Sequence, residues 1–308
     1  MTHDHEHHPH AHEHSHAPKN FGFAFAIGTT LNLALVIAQL TFGWRSNSLA
    51  LISDGVHNFS DVLGLLLAWG GSWLATRQPT ASRTYGYRRA SILAALGNAA
   101  LLLVATGGLL LEAAQRLVSS PPEVASGTVL WVALAAIVVN TATALLFLRG
   151  REQDQNIRGA FVHMAGDAAV SAGVVIVALL ISQTGWFWLD PLASIAIGIV
   201  ILWSSWGLLR EALNLALDAV PEGVDPAAVE AYLACLPGVS EAHDLHIWGM
   251  STTETALTAH LVRPGSETDD RFLTEIAREL EHRFQIHHAT IQIETGEGEC
   301  RLAPANVV

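Results

Sequence analysis

Charged side chains are scarce in this chain of 308 residues: 14 % are charged and 51 % hydrophobic, where a soluble protein carries about 25 % charged. The shortage excludes an ordinary soluble enzyme and makes a membrane protein the default reading. Cysteine is nearly absent. Cys235 and Cys300 have no close spacing, which excludes a disulfide framework and a cysteine-rich zinc module. The first residues are polar and lack an apolar h-region, so no cleavable signal peptide is expected and the first span must itself direct insertion. From residue 17 onward the His-Glu-x-x-His motif that membrane zinc hydrolases typically carry is also missing; the string occurs only at His12–His16, inside the polar His-rich tail and on no apolar span. A metallohydrolase is therefore the weaker alternative.

The net charge of −12 is uneven: residues 218–308 hold 16 acidic and 5 basic side chains, and residues 19–217 hold 9 and 11. An acidic C-terminal part repels nucleic acid and draws cations, although a solvated acidic face explains the balance equally well.

What the chain does have is long apolar stretches. A bilayer crossing needs about 20 residues, and six stretches qualify: 21–43, 50–75, 90–118, 128–149, 159–182 and 189–213. Polar or turn-like breaks separate them, so neighbouring spans form helical hairpins. Short cytoplasmic loops collect Lys and Arg. Arg77, Arg83, Arg88 and Arg89, then Arg149, Arg151 and Arg158, with Lys19 and Arg210 at the flanks, fall on one side; the opposite loops offer Arg45 and Arg116. Both termini are predicted to be cytoplasmic. Residues 1–20 form a His-rich tail expected to be disordered, residues 21–213 a six-helix membrane bundle, residues 214–298 a cytoplasmic α+β domain and residues 299–308 a short tail. Within that domain the patterning reads αββαβ, with "SEAHDLHIWGM", "TETALTAHLVRP" and "ATIQIE" as strands. At roughly 80 residues it is marginal alone, and a second copy is the simplest support.

Ionisable residues interrupt the second span at "SDGVHNFSD". Residues four apart share a helix face, so His57 and Asp61 project together, with Asp54 nearly alongside. The fifth span repeats the spacing in "HMAGD" with His163 and Asp167. Ionisable groups in a span cost about 2.5–3.5 kcal/mol each and persist mainly where they face a site or cavity. One such pair is often a helix-to-helix contact, but two matched pairs point to a site. Two imidazoles and two carboxylates make a tetrahedral set that zinc accepts. Without a thiolate the set exchanges metal readily, and protons compete with metal for imidazole nitrogen.

The motifs "SLALISDGVHNFSD", "RTYGYRRASILAAL", "HMAGD", "LDPLASIAIGIVIL", "HDLHIW" and "HATIQIE" together resemble the cation diffusion facilitator transporters over residues 21–295. The resemblance implies a homodimer with six helices per subunit and a ferredoxin-like cytoplasmic domain. It further implies a secondary transporter, not an enzyme, that exports zinc in exchange for protons by alternating access, with no organic cofactor. His57, Asp61, His163 and Asp167 match the family's transport site, and His57 is the arrangement of zinc-preferring members. Cadmium or cobalt can travel alongside zinc, whereas octahedral magnesium and manganese are disfavoured. Ser91 departs from the family, in which many members have Glu.

By the same resemblance His243, His260 and Glu294 align with positions that bind metal in the cytoplasmic domain. His287 and His288, ahead of the last strand, are candidates to complete the site, and Cys300 offers a thiolate, although no neighbouring pattern recruits it. His243 and His246, three apart, are expected on opposite faces of their strand. Asp54 fits three roles: a hydrogen-bond partner fixing His57, a proton acceptor, or a polar group near the extracellular mouth. Asn32, Asn98 and Asn140 read as interhelical hydrogen-bonding residues, Asp190 before Pro191 as the cap of its own helix, and the loop arginines as topology and headgroup contacts. The eight histidines of "HDHEHHPHAHEHSH" read as weak, multivalent zinc capture. A short chain without extended loops suggests a bacterial inner membrane. A sensor or scaffold that keeps the fold without transporting is the remaining alternative.

Overall fold

A computed structural model of the chain describes residues 21–75, 77–147, 155–265, 270–296 and 300. The His-rich tail, Lys19, Arg149 and Arg151 lie outside the described residues. Six long helices come first: α1 (Phe21–Arg45), α2 (Leu49–Ala75), α3 (Ala90–Val118), α4 (Ser126–Phe147), α5 (Gln155–Thr184) and α6 (Leu189–Ala216). Four, over Ala90–Val118, Ser126–Leu145, Phe161–Thr184 and Leu189–Ala216, are long and apolar enough to cross a membrane. Their apolar residues are not confined to one stripe. Val104, Leu111, Val138, Ile199 and Trp203 are exposed, the surface of helices built to face lipid rather than water.

α4 packs most extensively on α5, and α3 on α6, while α2 touches α1, α3, α5 and α6. The connection from α1 to α2 is tight. Ser48 N donates to Gly43 O, closing the end of α1, and Asn47 takes a positive φ of 56°, the left-handed conformation that commonly ends helices. Ser48 Oγ then accepts from Leu51 N at 3.2 Å, capping α2. Asp190 is not the cap of its own helix. α6 begins at Leu189, with no side-chain cap bond, and the Asp190 carboxylate accepts from Ser48 Oγ at 2.5 Å and Leu49 N at 2.6 Å. A buried carboxylate at a helix N-terminus satisfies orphan donors and favours the positive end of the helix dipole. Here the helix is α2, and Ser53 and Ser194 continue the tie one turn on, at 2.7 Å.

At the other end of the bundle the backbones of α2 and α3 nearly touch: a Cβ at Gly71 would meet Ser91 Cβ at 3.0 Å and Ser91 Cα at 3.1 Å, whereas one at Gly70 meets nothing within 4 Å. Overpacking costs about 1–3 kcal/mol. Gly71→Val is therefore expected to lower the thermal midpoint of the detergent-solubilised protein, while Gly70→Val changes stability by no more than about 0.5 kcal/mol.

After α6 come α7 (Pro226–Ala234), β1 (Glu241–Gly249), β2 (Thr255–Val262), α8 (Asp270–Phe284) and β3 (Ile286–Glu294). Asp225 caps α7 by accepting from Ala227 N at 3.0 Å. The sheet has order β1-β2-β3, with β1 antiparallel and β3 parallel to β2. Its core is Val229 and Leu233 of α7, Ile276 and Leu280 of α8, and Ile247, Leu257, Ala259, Leu261 and Ile286 of the sheet. The last strand starts earlier than "ATIQIE", because Gln285 at φ 58° turns α8 directly into Ile286. His287 and His288 therefore lie within β3.

The alternation of β1 is broken as well. His243 pairs with His260 but His246 with Thr258, a register shift across Asp244, which has φ 50°. The extra residue of a β-bulge restores the face after three positions, so His243 and His246 project to the same face, away from the core.

The loop between α2 and α3 docks on this domain. Arg88 Nη1 lies 2.5 Å from Glu254 Oε2, Arg89 pairs with Asp218, Tyr85 meets His288 edge to face with ring centroids 5.8 Å apart, and Ser91 Oγ accepts from Thr252 N at 3.2 Å. The arginines read as topology markers thus also have protein partners, and Ser91 sits where membrane bundle and domain meet.

Candidate metal centre

His57 and Asp61 on α2 face His163 and Asp167 on α5. His57 Nε2 lies 3.4 Å from Asp167 Oδ1 and 3.8 Å from Asp61 Oδ2. His163 Nε2 lies 3.3 Å from Asp61 Oδ2 and 3.8 Å from Asp167 Oδ2. These separations exceed the about 2.7–2.9 Å of a charge-assisted hydrogen bond. The two separations between helices, 3.3 Å and 3.4 Å, match the edge of a tetrahedron with metal–ligand arms of about 2.0–2.1 Å, which is about 3.3–3.4 Å. The two within a helix, 3.8 Å, exceed it. His57, His163 and Asp167 offer ligand atoms all within 4.8 Å of one another. The two imidazole rings stand 5.9 Å apart and nearly perpendicular, as two ligands converging on one point from different helices do. Among the described residues Asp61 Oδ2 and Asp167 Oδ2 are buried without a hydrogen-bond partner. Buried carboxylate oxygens left unsatisfied are costly, and a cation between them would remove that cost.

The four groups are not equally enclosed. Side-chain exposure is 42 % for His163 and 26 % for Asp61, but 17 % for His57 and 4 % for Asp167. His163 and Asp61 are the members of each pair nearer the C-terminal domain. A cavity of about 740 Å³ accounts for the difference; its lining runs from Asn32, Asn98 and Leu208 in the domain-proximal halves of the helices to His57 and Asp167 at its base. Beyond that base the bundle is closed. Ala50, Leu51, Val124, Val129, Ala133, Val174 and Ala178 form an apolar plug at the far end.

Between site and plug lies Asp54, fully buried. Its Oδ2 accepts from Gln39 Nε2 at 2.6 Å and Ser171 Oγ at 2.9 Å, and Asn58 Nδ2 donates to Gln39 Oε1 at 3.0 Å. Asp54 is therefore not the hydrogen-bond partner that fixes His57, whose Nδ1 has none; it ties α1 and α5 to α2. Of Asn32, Asn98 and Asn140, Asn98 pairs with Ser60 at 3.4 Å and Asn32 makes a weak contact to Met164 Sδ at 3.9 Å. Asn140 is fully buried, and neither of its amide atoms is paired among the described residues, so no interhelical hydrogen bond there accounts for it.

In the C-terminal domain the structure brings together three of the four expected residues. His243 Nε2 lies 3.5 Å from Glu294 Oε2 and His260 Nδ1 lies 3.1 Å from Glu294 Oε1. His287 is elsewhere: its Nδ1 accepts from Thr255 N at 3.4 Å, at the opposite end of the β2–β3 pair. In its place stands Cys300, with Sγ 3.6 Å from His260 Nδ1. Sequence reasoning gave Cys300 no supporting neighbours because they come from three strands, and no local spacing marks it.

Two family models match in tandem. One, described as the cation efflux transmembrane domain, covers residues 25–215, and one described as the cytoplasmic domain of cation efflux proteins covers residues 221–296. The cation efflux system protein CzcD of an Alcaligenes species is 36 % identical over 269 residues, spanning 87 % of this chain and 85 % of its own. The cadmium, cobalt and zinc/H(+)-K(+) antiporter of Bacillus subtilis is 35 % identical over 265 residues, 84 % of this chain and 85 % of its own. Zinc transporter ZitB of Escherichia coli is 34 % identical over 269 residues, with coverage of 87 % and 85 %. The chain therefore belongs to the cation efflux family, and it is an integral membrane transporter of metal cations rather than an enzyme.

Proposed function

We propose that this protein exports zinc from the bacterial cytoplasm across the inner membrane in exchange for protons, with His57, Asp61, His163 and Asp167 as the transport site. The observation that carries the reading is the convergence of two imidazoles and two carboxylates from α2 and α5 on one cavity, where His57, His163 and Asp167 offer ligand atoms within 4.8 Å of one another and Asp61 Oδ2 lies 3.3 Å from His163 Nε2. Zinc entering from the domain side displaces protons, because an imidazole nitrogen holds a proton or a metal but not both. Two carboxylates emptied of metal are costly in the membrane interior unless protons replace it. Exchange follows from that either-or. Release then requires the plug and the Asp54 and Asp190 ties to part while the domain-side cavity narrows. Nitrogen and oxygen ligands at tetrahedral spacing favour zinc and cobalt over octahedral magnesium, and the relatives' names include cadmium, cobalt and zinc.

Six spans, both termini cytoplasmic and a homodimer joined through a ferredoxin-like C-terminal domain complete the proposal, over the division at residues 20, 213 and 298. Supporting it are the arginine-bearing α2–α3 loop on the domain side and the sheet face opposite α7 and α8, where His246, Thr290 and Gln292 are accessible. His243, His260 and Glu294 form a separate cytoplasmic metal site.

The test is zinc flux in proteoliposomes under an imposed pH gradient. Zinc should move against its own gradient when protons run down theirs, and magnesium should not. Bound zinc without flux would replace transport by a sensor or scaffold role.

A further inference from the structure

The cytoplasmic cluster holds one ligand more than the family resemblance supplies. His243, His260, Glu294 and Cys300 each offer a ligand atom, all within 4.8 Å of one another. His243 is the most telling: its side chain is 7 % exposed, and both ring nitrogens are buried with no hydrogen-bond partner among the described residues. A histidine seated that deep without a partner is unsatisfied unless something binds it. His243 and His260 are directly paired across β1 and β2, and Glu294 closes the end of β3, so the sheet itself fixes three of the four groups.

We infer that Cys300 is the fourth ligand of this site, so that a bound zinc or cadmium ion fastens the C-terminal tail to the sheet through a thiolate. The inference rests on the proposed metal site of the domain and does not depend on transport. For arms of about 2.3 Å to sulfur and about 2.0–2.1 Å to nitrogen, a tetrahedral edge is about 3.5–3.6 Å, and the Cys300 Sγ to His260 Nδ1 separation is 3.6 Å. Two further separations, 3.1 Å from His260 Nδ1 to Glu294 Oε1 and 3.5 Å from His243 Nε2 to Glu294 Oε2, bracket the nitrogen–oxygen value. His260 faces the cluster through Nδ1 and sets its other nitrogen 3.4 Å from Asp244 Oδ2, while Asp244 Oδ1 holds His246 Nε2 at 2.9 Å. A carboxylate behind the ligating His260 orients it and raises its basicity, and Glu241 Oε1 lies 3.5 Å from His243 Nδ1 without hydrogen-bonding it. The bulge at Asp244 thus has a use, since it turns one carboxylate between two histidines.

The chemistry separates this site from the membrane one. A thiolate favours softer cations and holds them more firmly than a set made of nitrogen and oxygen alone. The cytoplasmic site therefore fills first and stays filled at metal levels where the transport site is still exchanging. It also ties Cys300, which lies beyond the last strand, to metal supply through its contact with His260.

Cobalt reports the difference directly, since only a thiolate ligand gives a sulfur-to-cobalt charge-transfer absorption in the near ultraviolet. The full-length protein, kept reduced with a phosphine in detergent, is titrated with cobalt alone. A charge-transfer band saturating at one equivalent per chain is expected, lost in Cys300→Ser and kept in Cys235→Ser, whose target is exposed on the end of α7. Competition against a chelator should show the tightest site weakened by at least about tenfold in Cys300→Ser, the lower bound for loss of a ligand or its support. Cobalt binding with no band in the native protein, or a band that survives Cys300→Ser, would overturn the inference. Repeating the titration in Asp61→Ala/Asp167→Ala isolates it from the transport proposal: the band must persist there. A protein that moves no zinc yet shows the band keeps this site, and one that moves zinc without the band loses it.

Discussion

Asp167→Asn should reduce proton-driven zinc flux in proteoliposomes by more than about 100-fold, beyond the loss caused by removing an outer partner of a metal ligand. The replacement is nearly isosteric, so the effect is electronic. Asp167 is the most enclosed of the four groups, with Oδ1 3.4 Å from His57 and Oδ2 3.8 Å from His163. An amide there turns either a neutral oxygen or an N–H towards the cation, and the site's two negative charges fall to one against a doubly charged ion. Asp61→Asn should do the same from the exposed side. Folding offers no escape from the test. Among the described residues Asp167 Oδ2 has no hydrogen-bond partner, so the amide strands no donor there, and a neutral amide is cheaper to bury in a span than a carboxylate. The metal-free thermal midpoint of Asp167→Asn should therefore equal or exceed the native value, while zinc ceases to raise it. A variant that folds, and still moves zinc at native rates, would place the cation elsewhere and end the reading of the paired motifs as one seat.

Why that seat was legible in sequence, and its surroundings were not, comes down to the range of the contacts. His57 with Asp61, and His163 with Asp167, are pairs one helical turn apart, and 3.6-residue periodicity alone puts each on one face. That the two faces meet was inferred from the repetition and the family resemblance, and α2 and α5 do meet. Asp190 misled because the local string Leu-Asp-Pro is a sufficient cap signal, while its actual partners, Ser48 and Leu49, are 142 and 141 residues away. Asp54 misled more subtly. Three residues before His57, it is rotated by about 60° around the helix, enough to aim it between α1 and α5 instead of along the histidine. In the domain, counting by twos failed at Asp244 because a bulge adds a residue that no alternation rule contains. The α8–β3 junction, and with it the placement of His287, turned on a single left-handed residue, Gln285, a conformation uncommon outside glycine.

Asp54 and Gln39 should prove strongly coupled, and their loss should leak. Both are fully buried, and Asp54 Oδ2 is the shared acceptor for Gln39 on α1 and Ser171 on α5. Asp54→Ala strands two buried donors at about 1–3 kcal/mol apiece, and Gln39→Ala strands the carboxylate and Asn58. Once one partner is gone the other has little left to lose, so the double variant should be less destabilised than the sum of the singles. The coupling should fall at the upper end of the about 0.5–3 kcal/mol seen for contacting residues, read from thermal midpoints in detergent. Function should change in a way stability alone does not predict. This network and the apolar plug close the far end while the cavity opens towards the domain, so a bundle without it separates more readily on that side. Zinc-loaded proteoliposomes at equal pH on both faces should then lose zinc down its own gradient several times faster with Asp54→Ala than with the native protein. Asp54→Asn, which keeps an acceptor for Gln39 and Ser171, should leak less than Asp54→Ala. If the two variants leak alike and faster than native, the charge of Asp54 closes the path rather than its hydrogen bonds; if neither leaks, the three-helix tie is structural and the barrier belongs to Leu51, Val129 and Val174.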